Sequence, residues 1–356
     1  MSSSFGGRVR VQLFGQSHSR GLGAVIDGLP AGEKIDLDRV GAFLRRRMGG
    51  LNSYSTARAE SDAPEVLCGL VGGRTCGAPI CAVFENSGAR PSDYAELRHV
   101  PRPSHADYAA HAKHSGLCDH SGGGHFSGRL TLPLCFAGAV CIQVLERRGV
   151  SVGARALSIA GVRDDPVDPG EPFGVEPPAH GFPTAGSGAA EEMIRAIEAA
   201  KAAGDSVGGV VECGAWGLPA GLGDPIFGAV ESRIAAAVFG IPAVKGVEFG
   251  AGFGAAGMRG SECNDPFFMD GGRVRARTNN SGGILGGITS GMPVIFRAAF
   301  KPTPSIALPQ ESVNLATGQG AEVEIRGRHD PCIVPRAVPC VIAAAAAVIC
   351  DIVLGG

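Results

Sequence analysis

The opening RVRVQLFG alternates apolar and polar residues with the period of a half-buried strand, and GLGAVIDGLPAG predicts a second strand ending in a turn. In DLDRVGAFLRRRMGG, Asp36 stands at an N-cap position, and Leu37, Val40, Leu44 and Met48 fall on one helical face. Arg45, Arg46 and Arg47 then point away from that face, at the helix end whose dipole favours cations. Solvated dipole partners and ligand-binding groups are equally good readings of these three. Residues 129–147, RLTLPLCFAGAVCIQVLER, are apolar nearly all round, which predicts a helix buried on most sides. AAEEMIRAIEAAKAAGD (189–205) predicts an amphipathic helix, and DPIFGAVESRIAAAVFG (224–240) another with Pro225 in its first turn. Between them, VGGVVECGAWGLPAG reads as a strand and a turn.

The last twenty residues, AVPCVIAAAAAVICDIVLGG, approach the length of a membrane span. A proline near their start, many alanines and Asp351 favour a buried terminal helix instead. Residues 163–188, rich in Pro, Gly and acidic side chains, predict a surface loop. Helices and strands interleave without a repeating βα unit, so the class is α/β or α+β. No stretch looks like a linker, and a single domain over 1–356 is expected.

Composition refines this picture. Hydrophobic residues make up 44% and charged residues 19%, the balance of a soluble globular protein. Glycine and proline together exceed a fifth of the chain but follow no period, so they mark turns. A formal net charge of −2 leaves no global basic field for nucleic acid. Of the 32 basic residues only five are lysine, leaving 27 arginines, whose fork suits a small polyanion if they cluster. The 11 cysteines include no CxxC pair and sit singly in apolar runs, so they read as buried free thiols in a reducing cytoplasm. MSSSFGGRVRVQLFG has no hydrophobic signal region, and a cytoplasmic location is expected.

Five loop segments could carry chemistry: GQSHSRGLG (15–23), RPSHADY (102–108), SGGGHFSGRLT (121–131), TNNSGGILGGITSG (278–291) with KPTPS (301–305), and RGRHDPC (326–332). The glycine clusters could cradle a phosphate or simply turn the chain, and none follows a Walker or dinucleotide fingerprint. His99, His105, His111 and His114 crowd LRHVPRPSHADYAAHAKH without zinc spacing, and no metal site is expected. Acid–base roles fit better: His18 and His105 each adjoin a serine and lie near an arginine, and Asp330 follows His329 in a charged turn.

Taken in order, these segments resemble the chorismate synthase family. The family's GESHG stands here as GQSHS, its RRRPG as RRRMG and its RPGHADY as RPSHADY. SGGGHFSGRLT, LPAGLGDPIF, PAVKGVEFG, NNSGGILGGITSG, KPTPS and GRHDPCIVPRAVP match further signatures, so the likeness spans essentially the whole chain. It implies an α+β fold, a β-α-α-β sandwich with a central layer of buried helices, assembled as a homotetramer. It implies a lyase that removes phosphate from 5-enolpyruvylshikimate-3-phosphate (EPSP) by anti 1,4-elimination. The product is chorismate, and the step is the last of the shikimate pathway to the aromatic amino acids. Reduced FMN is the implied cofactor, with NADPH added only if the chain reduces its own flavin.

Residue by residue, the resemblance makes His18 the proton donor to the departing phosphate, His105 the histidine beside the flavin, and Asp330 the aspartate that helps a proton pass through flavin N5. It assigns Ser17, Arg47, Arg102, Ser127, Arg129 and Arg328 to the substrate. To the flavin it assigns Arg46, His125, Phe126, Ser127, Pro242, Ala243, Gly286, Lys301, Pro302, Thr303, Pro304, Ser305 and Arg328. The chain departs from the pattern at Gln16 (family Glu), Ser19 (Gly), Met48 (Pro) and Asn52, where many members carry a basic residue that Arg58 could replace. His125 and Phe126 stand where another branch has Arg-Ser. Ser19 is expected to restrict the backbone after His18. Many members carry a polar C-terminal extension beyond the last apolar helix, so a truncated C-terminus is a further expectation. Asp107 is expected to orient its own turn, and no role falls to His99, His111 or His114.

Overall fold

Ten strands form two antiparallel sheets: β1 (Ser4–Phe5), β2 (Arg10–Gly15), β3 (Gly21–Asp27), β4 (Glu65–Cys68), β5 (Ile80–Glu85), β6 (Ser151–Ile159), β7 (Val162–Arg163), β8 (Gly209–Trp216), β9 (Val244–Phe249) and β10 (Val294–Phe300). The first sheet runs β1-β2-β3-β5-β4 and the second β9-β10-β8-β6-β7. The computed structural model describes residues 3–50, 52, 54–55, 62–86, 99–325 and 329–355. Six of the helices among the described residues complete the frame: α1 (Leu37–Arg45), α2 (Asp107–Lys113), α3 (Thr131–Glu146), α4 (Ser187–Ala202), α5 (Val230–Phe239) and α6 (Val334–Gly355).

Alternation explains the first sheet, since Ile80, Ala82 and Phe84 of β5 turn inward, as do Leu22, Ala24 and Ile26 of β3. Their cover is α3, whose other side packs on α6, and α6 in turn lies on β6 and β8. The resulting order is sheet, helix, helix, sheet. Gly138 allows the two central helices to touch, because a Cβ there would sit 2.3 Å from Ala343 Cα. Gly128–Glu146 and Val334–Gly355 are long and apolar enough to cross a bilayer, yet 89% of each apolar window is buried inside the fold. Each large side chain buried there, such as Phe84 or Phe136, contributes about 1.5–3 kcal/mol.

Two polar side chains tie the core to the chain around it. Buried Gln143 of α3 receives the Asp36 N–H at 2.8 Å and donates to the Asp36 carbonyl at 3.0 Å. Asp36 caps α1 as expected, accepting from the N–H groups of Asp38 and Arg39. Asp351, near the end of α6, accepts the N–H groups of Gly7 and Val9, each at 2.7 Å, and pairs with Arg233.

Three expectations need correction. The helix expected over 224–240 begins at Val230, so Pro225 lies in the loop before it, beside exposed Ile226 and Phe227. Pro225 and Gly228 break the helical run that the apolar spacing suggested. The 163–188 segment is not a free surface loop: Phe182, Thr184 and Asp164 are buried, and Ala156 N–H donates to Pro183 O at 2.6 Å. Cys68 and Cys76 are exposed, unlike the six buried thiols at positions 135, 141, 213, 332, 340 and 350.

Beneath that segment the second sheet carries a cross-strand charge ladder. Arg155, Glu212, Arg297 and Glu248 stand opposite one another on β6, β8, β10 and β9. Arg155 bonds Glu212 at 2.9 Å and Asp164 at 2.7 Å, while Arg297 bonds Glu212 at 3.0 Å and Glu248 at 3.3 Å.

Candidate functional site

Helices α3 and α6 both start at the wall of one cavity of about 1760 Å³. Their first turns, with Thr131 and Leu134 on one and Arg336 and Ala337 on the other, line it, so two positive helix ends meet there. Among the described residues seven lysine and arginine side chains line the wall against four carboxylates.

Arg47 leaves the end of α1 and is buried in this wall. Its Nε donates to Thr131 Oγ1 at 2.8 Å, its Nη1 to Asp62 at 3.0 Å and its Nη2 to Gly128 O at 3.3 Å. Arg129 pairs with the other oxygen of Asp62 and donates to Asn86 Oδ1 at 3.3 Å. One carboxylate thus serves two arginines.

A second cluster forms around Asp107, the first residue of α2. Arg102 holds it bidentately, Nε to Oδ2 at 2.7 Å and Nη2 to Oδ1 at 2.9 Å, and reaches Ser305 Oγ at 3.3 Å. His105 Nδ1 lies 2.6 Å from Asp107 Oδ1. Burial alone would raise the Asp107 pKa, but the hydrogen bonds from Arg102 and His105 hold it well below the usual carboxylate range.

The triple glycine joins the two proposed proton-transfer histidines. A Cβ on Gly122 would stand 2.3 Å from His18 Cε1, and one on Gly123 would stand 3.1 Å from His105 Cε1. Both glycines have φ in the left-handed region, at +62° and +96°, so no other residue fits between these rings without displacing them. Ser17 lies in the same place, its Oγ 2.7 Å from that Gly122 Cβ. His125 is anchored behind them to Ser3 Oγ and Gly15 O, each at 2.9 Å.

On the opposite wall Asp330 pairs with Arg336, whose Nε donates to Arg47 O at 2.8 Å. Burial pushes the His329 pKa down and Arg102 adds to the effect, against the opposing pull of Asp330. Lys301 donates to Ser104 O, and burial with nearby Lys245 lowers its pKa. Phe126, Ser127, Pro242, Ala243, Thr303, Pro304 and Ser305 complete the wall.

Three candidates lie elsewhere. Arg46 turns to Val175 O at 3.2 Å and Gly174 O at 3.4 Å. Gly286 sits at the turn of a small hairpin, and Pro302 packs toward Gly208. Arg328 and Arg58 fall outside the described residues. Asp62, Asn86, Thr131, Lys245 and Arg336 belong to the site without any role expected from sequence. Thr131, Lys245 and Arg336 fall inside the quoted signatures SGGGHFSGRLT, PAVKGVEFG and GRHDPCIVPRAVP, whereas Asp62 and Asn86 lie in none.

Ser19 does not adopt a left-handed backbone; its hydroxyl closes the turn through Gln16 N–H at 3.0 Å and Gly21 O at 2.8 Å. Left-handed backbone falls instead at Ser104, φ +58°, where the resembling motif has glycine, and at Ala243, φ +73°.

Comparison with known proteins returns one family. A family model described as chorismate synthase matches residues 9–354. A chorismate synthase of Thermococcus kodakarensis is 47% identical over 339 residues, covering 95% of this chain and 94% of the relative. That of Methanocella arvoryzae is 46% identical over 354 residues, covering 99% and 95%. A crystal structure of a chorismate synthase superposes with a TM-score of 0.77 at 27% identity, covering 99% of this chain and 93% of the other.

Proposed function

The chain belongs to the chorismate synthase family, and on that premise we propose how its own side chains divide the reaction. The reaction is the last step of the shikimate pathway, elimination of phosphate from EPSP to give chorismate, and the enzyme is a carbon–oxygen lyase. The family uses a reduced flavin, here read as FMN. One drug-sized ligand fills about 300–1,000 Å³, so a cavity of about 1760 Å³ has room for cofactor and substrate together. Among the described residues, buried Thr303 Oγ1 and His329 Nε2 have no hydrogen-bond partner, and Gly122 and Gly123 put no side chain against His18 and His105, features that suit a polar ring system.

His125, Phe126, Ser127, Pro242, Ala243, Lys301, Thr303, Pro304 and Ser305 would hold the flavin, and the family resemblance adds Arg328; Arg46, Gly286 and Pro302 lie away from this wall and are not assigned to it. When bound, the reduced flavin supplies electron density while the C–O bond to phosphate breaks. Arg47, Arg102 and Arg129 orient the two carboxylates and the phosphate of EPSP, assisted by Ser17, Ser127, Arg328 and the two helix ends. His18 hands a proton to the departing phosphate, and His105 faces the flavin. Asp330 is the carboxylate able to take up the proton lost from the ring carbon. The observation that carries this reading is the convergence of Arg47, Arg129, Arg102, His18 and His105 on one wall.

The test is phosphate release from EPSP under anaerobic conditions with chemically reduced FMN. Turnover is expected; its absence, or full turnover by His105→Ala, overturns the reading. Replacing the chemical reductant by NADPH asks whether the chain reduces its own flavin. We further read the protein as one domain, cytoplasmic, free of nucleic acid and membrane, and homotetrameric. The exposure of Ile226, Phe227 and Phe253 supports self-association, which sedimentation velocity measures.

A further inference from the structure

We propose that Asp107 is a positioning residue that fixes the proton of His105 on Nδ1, leaving Nε2 as the ring atom that exchanges protons with the reacting molecules. The inference rests on the reading of His105 as a group that faces flavin or substrate. Four donors converge on the two oxygens of this buried carboxylate: Arg102 N–H at 3.1 Å and Nε at 2.7 Å on Oδ2, Arg102 Nη2 at 2.9 Å and His105 Nδ1 at 2.6 Å on Oδ1.

His105 Nδ1 also lies 3.0 Å from Arg102 Nη2, so two tautomers must be weighed. If Nδ1 were bare and accepted from Arg102, its lone pair would face a carboxylate oxygen at 2.6 Å, with no proton between them. Asp107 cannot supply that proton, since the bidentate Arg102 guanidinium keeps it ionised against the effect of burial. The proton therefore sits on Nδ1 and is donated to Asp107, while Arg102 completes the carboxylate's shell. Nε2 then lies on the Gly123 side, where a Cβ would stand 3.2 Å away and where glycine leaves that edge open. The same carboxylate orients the Arg102 fork, so one side chain registers an anion-binding cation against a proton-transfer ring. An aspartate held behind a histidine in this way sets tautomer and orientation in serine proteases, where its replacement by asparagine lowers kcat about 10⁴-fold.

The first measurement needs no variant. Long-range ¹H–¹⁵N correlation of the ring nitrogens in ligand-free, ¹⁵N-histidine-labelled protein at mildly alkaline pH, assigned by comparison with His105→Gln, is expected to show Nδ1–H. A dominant Nε2–H form overturns the proposal, and this result stands whether or not the enzyme turns over EPSP. The second compares Asp107→Asn with Asp107→Glu. The asparagine variant is expected to lose the single tautomer and about 10²–10⁴-fold in kcat, together with a smaller rise in KM for EPSP from the loosened Arg102 fork. The glutamate variant is expected to recover part of both. An unchanged tautomer and kcat in folded Asp107→Asn overturns the proposal; should that variant fail to fold, the wild-type spectrum decides. Absence of phosphate release by the wild type would defeat the reaction assignment instead, leaving the tautomer result intact.

Discussion

Two arginine-rich regions of this protein use the same chemistry to opposite ends. On the second sheet Arg155 and Arg297 meet Asp164, Glu212 and Glu248, and the set closes on itself. In the cavity Arg47 and Arg129 share the single carboxylate of Asp62, and Arg102 and His105 share Asp107. The ladder has more anions than cations and holds strands in register. The cavity has more cations than anions, and its excess is maintained by geometry until a polyanion arrives. Counting arginines along the chain cannot separate these uses, because what differs is the number of carboxylates brought to each.

Removing the shared anion of the ladder should give the largest effect. Glu212→Ala leaves Arg155 and Arg297 without their common partner and is expected to cost about 3–5 kcal/mol in denaturant unfolding. Turnover per folded molecule should not change; a parallel loss of both would make the ladder part of the active site. Arg129→Ala should do the reverse, lowering kcat about 10²–10³-fold while shifting the unfolding midpoint little, because Asp62 keeps Arg47. A large stability loss there would erase the distinction drawn between the two regions.

Acid sharpens it further. Because the folded Asp107 pKa is depressed, its stabilising contribution is complete above the unfolded value of about 3.9 and is lost as pH falls from there through the folded value. The stability difference between wild type and Asp107→Asn should therefore be constant above about pH 4 and shrink below it. A difference that persists undiminished in strong acid would mean that charge pairing is not its source. Smaller again, Ser104→Gly should raise stability by about 1 kcal/mol by relieving the left-handed backbone. At the bottom of the scale stands the exposed Arg39–Glu146 pair, where Arg39→Ala should cost about 0.2–1 kcal/mol, less in high salt.

Sequence and structure agree best where a pattern reports a single physical cause. The unbroken apolarity of 129–147 and of the last twenty residues announced two helices with no solvent face, and Asp36 announced the cap of α1. The start of α5 was misplaced because Ile226 and Phe227 continue an apolar rhythm that in the folded chain belongs to an exposed loop. The 163–188 segment has a loop's composition, but nothing local shows that its backbone bonds to β6. In the site, the loop histidines and arginines were legible as candidates, and the family resemblance sorted them. Asp62 was not, since it sits in no motif and its two partners lie 15 and 67 residues away. Paired carboxylates of this kind become visible only when the chain is folded.

The bond between Asp351 and the backbone of Gly7 and Val9 spans nearly the whole chain. The N-terminal strands are made long before Asp351, which follows Val9 by 342 residues. Ser3, Ser4 and Phe5 line the cavity beside Arg336 and Ala337 of α6, so its wall is completed only once α6 has been made. Until then the nascent chain carries the bare apolar face of α3, an exposure that favours aggregation.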